Sequence, residues 1–197
     1  MTAEAHRRGA KVAAHAKSPE GVRLAILGGV DTVEHGTADP YPELYDLMVE
    51  HDIVLVPTFG VIYWLAEEGL AWGASKARVE RARRLLEKVP GALQEARKRG
   101  VRIGLGTDTG HGGGPGVAKN AKSMELLVQA GLSPMEAIVA GTKTAAEALG
   151  VDRHLGTLEP GKLAELLVVE GDPLTEISCL QSKANIQLIL KSKQSLA

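Results

Sequence analysis

The chain has 197 residues, a formal net charge of −1 and 24% charged residues, enough for one substantial core or for a large domain with a small annex. The near-zero charge and the 3% aromatic content argue against a nucleic-acid partner. Phosphate contacts need an excess of cations, and binding of single strands needs stacking surfaces.

The cysteine content and the lengths of the apolar runs indicate the cellular compartment of the protein. Cys179 is the one cysteine, so it has no intramolecular disulfide partner and a reducing, cytoplasmic environment is expected. No apolar run reaches the roughly 18 residues of a membrane span. The residues after Met1 do not follow the basic-then-apolar order of a signal sequence. We therefore expect no membrane partner.

The first part of the chain alternates strands with helices. After a short helix near residues 2–9, apolar runs at residues 11–15, 30–35, 53–57 and 101–107 predict four strands. Amphipathic segments separate them. This alternation is typical of parallel strands joined by helical crossovers, in an open sheet or in part of an eight-stranded barrel.

Several helix boundaries can be placed from the sequence. Ser18 precedes a proline and a glutamate and predicts an N-cap, and Ser133 with Glu136 predicts a capping box. A charged helix is expected from residue 78 to residue 98, broken near Pro90. Residues 134–149 are expected to form one helix.

The pattern changes after Gly150. The stretches "LGTLEPGKLAELLVVEGDPL" and "IQLILK" read as strands split by turns, with no helix between them. We therefore expect two parts, residues 1–150 with the strand–helix pattern and residues 151–197 as an all-strand, antiparallel tail.

Three strand-like runs end close to a side chain that binds metals. His15 and His35 follow "VAA" and "VE", and Asp108 follows "GLGT". Zinc accepts imidazole nitrogen and carboxylate oxygen, and the carboxyl ends of barrel strands carry active residues. The three side chains are therefore predicted to converge on one rim and to bind Zn²⁺ or another divalent metal. The alternative is that each is an isolated core or capping residue.

Other candidate residues are ambiguous. His111 lies in the glycine-rich segment 110–116 and could contact substrate or metal, or be part of a solvated loop. That segment lacks the lysine and hydroxyl residue of a phosphate-binding loop, so it is weak evidence for a nucleotide site. Tyr63, Trp64 and Trp72 could line a pocket or pack in a core or lid.

Six motifs together suggest a family. The stretches "AAHA", "VEHG", "LVPTF", "GLGTDTG", "ELLVQAGLSPMEAIVAGTKTAAEALG" and "GTLEPGKLAELLVVEGDPL" resemble the C-terminal half of the amidohydrolase superfamily, in particular its imidazolonepropionase and Xaa-Pro dipeptidase-like branch. The resemblance implies an α/β fold: half of a TIM-like (β/α)8 barrel, with strands 5–8 in residues 1–150. Residues 151–197 would then be the C-terminal part of a composite β-sandwich domain.

The resemblance also implies a mechanism. His15 and His35 would bind the metal, and Asp108 would contact it and carry a proton from water to the leaving nitrogen. Segments 58–75 and 109–119 would select the substrate. His111, which lies in the second of these segments near Asp108, is our candidate for a substrate contact. The reaction would be hydrolysis of a carbon–nitrogen bond in a small amide, cyclic amide or dipeptide.

The sequence departs from the family in one important respect. It contains no His-x-His pair, and no lysine stands at the strand end where the family often places a bridging one. The chain would be a fragment of a longer protein or a half-barrel that folds by itself. The alternative function is a non-catalytic folding or assembly module without a functional metal. An unrelated parallel α/β protein that happens to carry the histidines is a third possibility.

An isolated half-barrel has consequences for assembly. Its edge strands, near residues 11–15 and 101–107, would present unpaired backbone groups, and its apolar inner face would be exposed. A homo-oligomer, most simply a two-fold dimer, is therefore expected. With part of the metal shell absent, the chain alone is expected to bind metal weakly and to have negligible activity.

Overall fold

A four-stranded parallel sheet organises the first part of the chain. The computed structural model describes residues 1–108, 110 and 119–191. The strands are β1 (Ala13–Ala16), β2 (Thr32–His35), β3 (Val54–Val56) and β4 (Arg102–Ile103), and they lie in chain order. Every neighbouring pair is parallel. The predicted α/β class and sequential strand order are therefore confirmed.

Helices occupy the segments before, between and after these strands. They are α1 (Thr2–Arg7), α2 (Pro19–Leu27), α3 (Pro42–Glu50), α4 (Phe59–Glu68), α5 (Lys76–Lys98), α6 (Lys122–Gln129), α7 (Pro134–Gly141) and α8 (Lys143–Leu149). Within the described ranges, none of the helices combines the length and the apolar character that crossing a bilayer requires.

Two predicted helix starts are confirmed by their side-chain caps. Ser18 Oγ accepts a hydrogen bond from the Gly21 N–H at 3.1 Å. In the capping box, the Glu136 N–H donates to Ser133 Oγ at 3.2 Å, and the Ser133 N–H donates to Glu136 Oε2 at 2.7 Å. These bonds satisfy amide groups that the first helical turn leaves unpaired.

The expected break near Pro90 is absent, because α5 runs through this residue. A proline removes one hydrogen bond from the helical ladder. Val89 and Leu93, on either side of it, are buried in the core. Packing of this face therefore outweighs the local cost of the proline.

The single helix expected over residues 134–149 is in fact two helices. The helical path ends at Thr142, which has φ −125° and ψ −85°. The Thr142 hydroxyl donates to the Ile138 carbonyl at 2.7 Å, which is an alternative to continued backbone pairing. α8 then starts at Lys143.

The fourth strand is shorter than the expected 101–107. The Gly104 N–H still donates to the Leu55 carbonyl at 2.9 Å, but the Leu105 N–H donates to the Ala140 carbonyl at 3.0 Å. The chain thus leaves β3 and contacts the end of α7. This contact ends the strand at Ile103.

Val54 and Val56, on the face of the sheet away from the main core, are buried, contrary to the expectation of an exposed inner face for a half-barrel. Val33 and Ile103 are also buried, but they lie on the opposite face, in register with Leu55. A Cβ at Gly104 would lie 3.1 Å from Val54 Cγ1 and 3.2 Å from Val56 Cγ2. Gly104 therefore lies directly beside these two side chains, and the absence of a side chain at Gly104 permits the close approach.

The core lies where the helices pack against the sheet. Deeply buried side chains of α2, α3, α5 and α6 form much of it: Val22, Ile26, Met48, Leu93 and Leu127. These residues pack against one face of the sheet. The carboxyl ends of the strands remain open at one edge.

The tail is a two-stranded ribbon. β5 (Leu166–Val169) and β6 (Ile186–Leu190) pair antiparallel, as predicted. Two 3-10 turns that were not predicted, Ile177–Gln181 and Lys183–Asn185, lie between them. Ile177 is buried. The division at residue 150 and the assignment of the tail to a β-sandwich stay predictions.

Candidate active site

The structure brings His15 and His35 into contact at the carboxyl edge of the sheet. β1 and β2 pair with Ala16 opposite His35. His35 Nε2 lies 2.9 Å from His15 Nδ1, and the two rings meet edge to face with centroids 4.3 Å apart. Two imidazoles from neighbouring strands therefore form one polar group at this edge.

Thr58 orients His35. Its Oγ1 lies 2.6 Å from His35 Nδ1, just beyond the end of β3. When Nδ1 carries the proton and donates to Thr58, Nε2 keeps its lone pair free for a second partner. Thr58 was not predicted to be a site residue in its own right, although its position after Pro57 at a strand end was a usable signal.

Three residues of this edge have left-handed backbone conformations. The φ angles are 74° for His35, 45° for Thr58 and 50° for Asp108. Residues other than glycine rarely adopt this region, and such conformations cost on the order of 1–3 kcal/mol and cluster at functional sites. Their concentration at the carboxyl edge of the sheet is independent support for a site here.

Gly36 is required by its position next to His35. Its φ is 70°, and a Cβ on this residue would lie 2.7 Å from Leu55 Cδ1. A side chain would therefore meet both backbone strain and a steric clash. Glycine lets the chain turn sharply away from the sheet directly after the histidine.

The environment of His35 favours its neutral form. Burial is the largest cause that lowers its pKa, followed by the charges of Lys17 and His15, while Asp108 acts in the opposite direction; the pKa falls to about 4. A neutral imidazole at pH 7 keeps a lone pair, which is the form that binds metal ions.

Asp108 lies at the same edge, in the lining of the cavity that His15 and His35 also line. Its side chain is exposed, and its charge acts on His35. The three residues singled out from the sequence therefore line one cavity, although Asp108 lies five residues beyond the end of β4 at Ile103 and not at the strand end as predicted. The other candidate, His111, falls outside the described residues.

The cavity has a volume of about 640 Å³, a size typical of small-molecule sites. On one side are the two histidines and Asp108. On the other side, α4 and α5 contribute an apolar wall, formed by Val61, Ile62, Leu65, Ala82, Leu85 and Val89. A ligand in this space would have a polar group at the strand ends and apolar atoms against the helices.

The helices of this wall bear on two expectations, one about segment 58–75 and one about its aromatic residues. Segment 58–75 was expected to select the substrate, in the manner of a loop, but most of it is the helix α4. None of the three aromatic side chains weighed as pocket residues appears among the described residues that line the cavity. Tyr63 and Trp64 instead contact each other edge to face, with centroids 4.9 Å apart, and Lys119 Nζ lies 4.1 Å from the Trp64 ring. The packing alternative fits these two residues.

The donor chemistry of the histidine pair fits a divalent metal. The nitrogens of His15 and His35 are adjacent, one ring is held neutral, and Thr58 fixes its orientation. Over residues 1–108, 110 and 119–191, however, no group of three or more His, Cys, Asp or Glu side chains is arranged to hold a metal ion. The pair therefore fits part of a metal shell, and Asp108 does not complete it in this conformation.

The chain belongs to the amidohydrolase family, whose model matches residues 1–193. It is 34% identical over 192 residues to ochratoxinase from Aspergillus niger, covering 95% of this chain and 38% of that protein. It is 32% identical over 101 residues to imidazolonepropionase from Symbiobacterium thermophilum, covering 51% and 21%. The family resemblance seen in the motifs is therefore confirmed.

A solved structure shows the same fold. The crystal structure of a Xaa-Pro dipeptidase with bound methionine in its active site superposes with a TM-score of 0.81 at 33% identity, covering 96% of this chain and 45% of that one. The sheet and helices described above thus correspond to part of an amidohydrolase TIM barrel. The chain spans less than half the length of the relatives that it matches.

Proposed function

We propose that this protein takes part in metal-dependent hydrolysis of a carbon–nitrogen bond in a small amide, cyclic amide or dipeptide. The observation that carries the proposal is the contact between His15 and His35 at the carboxyl edge of the sheet, in a chain of the amidohydrolase family. Names of relatives such as ochratoxinase and Xaa-Pro dipeptidase support an amide or dipeptide substrate.

Each residue of the edge has a role in this proposal. His15 and His35 hold the metal, and Thr58 is a positioning residue that orients His35. A divalent ion bound here, Zn²⁺ in the simplest case, would lower the pKa of water towards neutrality. Asp108 accepts the proton of the attacking water and passes it to the leaving nitrogen. His111 contacts the substrate.

The remaining metal donors lie, in this proposal, outside the described residues. Two imidazoles alone are a weak site for zinc, which usually takes three protein ligands in an enzyme. We also propose that the protein is cytoplasmic, because Cys179 is a free cysteine. We propose that it is a homo-oligomer, because apolar side chains of the tail are exposed.

A second candidate function is a non-catalytic folding or assembly module. It is favoured by the lack of a three-ligand group in the described part of the chain. It is also favoured by the small part of its relatives' length that the chain spans, which is 38% for ochratoxinase. In that case the histidine contact would be a structural hydrogen bond at the sheet edge.

Metal titration of histidine variants separates the two candidates. Co²⁺ is added to the metal-free protein, and binding is followed by visible absorbance and by calorimetry. We expect weak binding that His15→Gln and His35→Gln each abolish, whereas His154→Gln, an exposed histidine away from the cavity, binds as the unmodified protein does. Binding that survives both substitutions would overturn the proposed metal site and favour the module.

A further inference from the structure

Three cationic side chains line the cavity that holds the histidine pair: Lys17, Arg78 and Arg81. Within the described parts of the chain, none of them has an ion-pair partner. Arginines that join elements elsewhere on the surface are paired. For example, Arg97 lies 2.7 Å from Glu136 and Arg99 lies 2.6 Å from Asp46.

The carboxylates of the cavity do not balance these charges. The described lining contains two, Asp39 and Asp108. Asp39 Oδ1 is already 2.8 Å from Lys88 Nζ. An uncompensated positive potential therefore remains beside an apolar wall, and it favours an anionic ligand.

One face of α5 shows how such a ligand would lie. The cavity residues Arg78, Arg81, Ala82, Leu85 and Val89 recur at the spacing that puts side chains on one side of a helix. The two arginines lie in its first turns and the aliphatic residues follow towards its middle. From Arg78 to Val89 the helix rises about 16 Å, so this face has a cationic end and an apolar length.

We propose that Arg78 and Arg81 bind a carboxylate of the substrate, and that the substrate is an N-acyl amino acid or dipeptide with a free carboxylate and an apolar side chain. Guanidinium groups match carboxylate oxygens in geometry and form charge-assisted hydrogen bonds with them. The scissile amide then faces the histidine edge, and the apolar side chain lies against α4 and α5. This inference rests on the proposed function and names its substrate class.

Both arginines are free to move toward a ligand because their side chains are exposed at the cavity. Lys17 has a different role: its charge acts on His35, so it lies near the histidine edge. It adds to the attraction for an anion without being the group that binds the carboxylate. The specificity thus resides in α5, on the opposite wall from the metal-binding residues.

Ligand binding to the metal-free 197-residue chain tests the inference. In EDTA, the affinities of N-acetyl-L-leucine and N-acetyl-L-leucinamide are compared by calorimetry or by NMR shifts. The two probes differ only in the charged carboxylate. We expect the acid to bind about 10-fold or more tightly than the amide. Arg78→Met and Arg81→Met should each remove most of this preference and leave binding of the amide unchanged.

Arg84→Met is the matched control, since Arg84 is an exposed arginine of α5 outside the cavity lining. It should retain the preference for the acid. Equal affinity for the two probes, no measurable binding of the acid, or an equal loss with Arg84→Met would overturn the inference. The measurement needs neither metal nor turnover. A failed metal titration with a preserved acid preference would therefore count against the proposed function alone.

Discussion

His15 and His35 are in contact across the β1–β2 pair, with His35 Nε2 2.9 Å from His15 Nδ1. In the strand register His15 stands opposite Glu34, so a regular pleat would put His35 on the other face. The φ of 74° at His35 breaks the pleat at this residue. The left-handed conformation accordingly accompanies the contact on which the candidate site depends.

The hydroxyl of Thr58 should be needed for metal binding. Thr58→Val keeps the shape of the side chain but removes the partner of His35 Nδ1. Loss of such an orienting group typically lowers metal affinity about 10–100-fold. Co²⁺ titration should show this loss, whereas Thr58→Ser, which keeps the hydroxyl, should bind nearly as the unmodified protein does. Equal affinity of the Val variant would contradict the role given to Thr58.

Asp31 connects three elements near the amino-terminal ends of the strands. It accepts hydrogen bonds from Lys11 Nζ, the Val12 N–H and His6 Nε2, each at 2.8 Å. Burial raises the pKa of this carboxyl, but the bonds from Lys11, Val12 and His6 outweigh it, so its pKa lies below the ordinary 3.8. A lowered pKa in the folded state means that the ionised carboxylate stabilises the protein.

Asp31→Asn should therefore lower the free energy of unfolding at pH 7 by about 1–3 kcal/mol. The contribution of the carboxylate is fully present above the unfolded-state pKa near 3.8. It is lost as pH falls through the lower pKa of the folded protein. Urea unfolding at pH 7 and below pH 4 should show a difference between the two proteins that shrinks in acid. Asp52→Asn, at a carboxylate 85% exposed beside Arg102, should change stability by less than about 0.5 kcal/mol.

The 197-residue chain by itself should be nearly inactive. Two adjacent imidazoles and an exposed Asp108 offer an incomplete shell, so zinc should stay below one equivalent after dialysis, and hydrolysis of N-acyl amino acids should be negligible. Elemental analysis and an amine-release assay measure both quantities. A full metal complement with turnover that Asp108→Ala abolishes would show instead that the chain is a self-sufficient enzyme.

The exposed ribbon of the tail should drive self-association. Leu167 and Ile189 are directly opposite in the β5–β6 pair, and they are 56% and 64% exposed. Covering apolar surface is favourable by about 25 cal/mol per Å². Light scattering at micromolar concentration should therefore report a dimer.

Substitution of the ribbon identifies the interface. Leu167→Glu combined with Ile189→Glu should shift the dimer to monomer, whereas Val49→Glu, at an exposed position of α3, should leave it unchanged. A monomer in the unmodified protein would refute the prediction of a homo-oligomer. Val54 and Val56 are not expected to contribute, because they are already buried.

Local sequence patterns determined the class of the fold and the neighbourhood of the site. Alternation of apolar runs with amphipathic helices requires parallel strands, and parallel strands bring their carboxyl ends to one edge. His15, His35 and Asp108 could therefore be placed at a shared cavity from their positions after these runs. The caps at Ser18 and Ser133 were readable for the same reason, since each depends on residues within one helical turn.

Contacts between residues far apart in the chain were decided by the tertiary structure. The continuous course of α5 through Pro90, the early end of β4 and the partnership of Thr58 with His35 depend on packing or pairing with distant segments. The orientation of α5, which turns Arg78 and Arg81 into the cavity, has no local signal either, because a charged helix face reads as solvent-exposed. Sequence periodicity specifies which residues share a face, but the neighbour of that face is set by the packing of the whole domain.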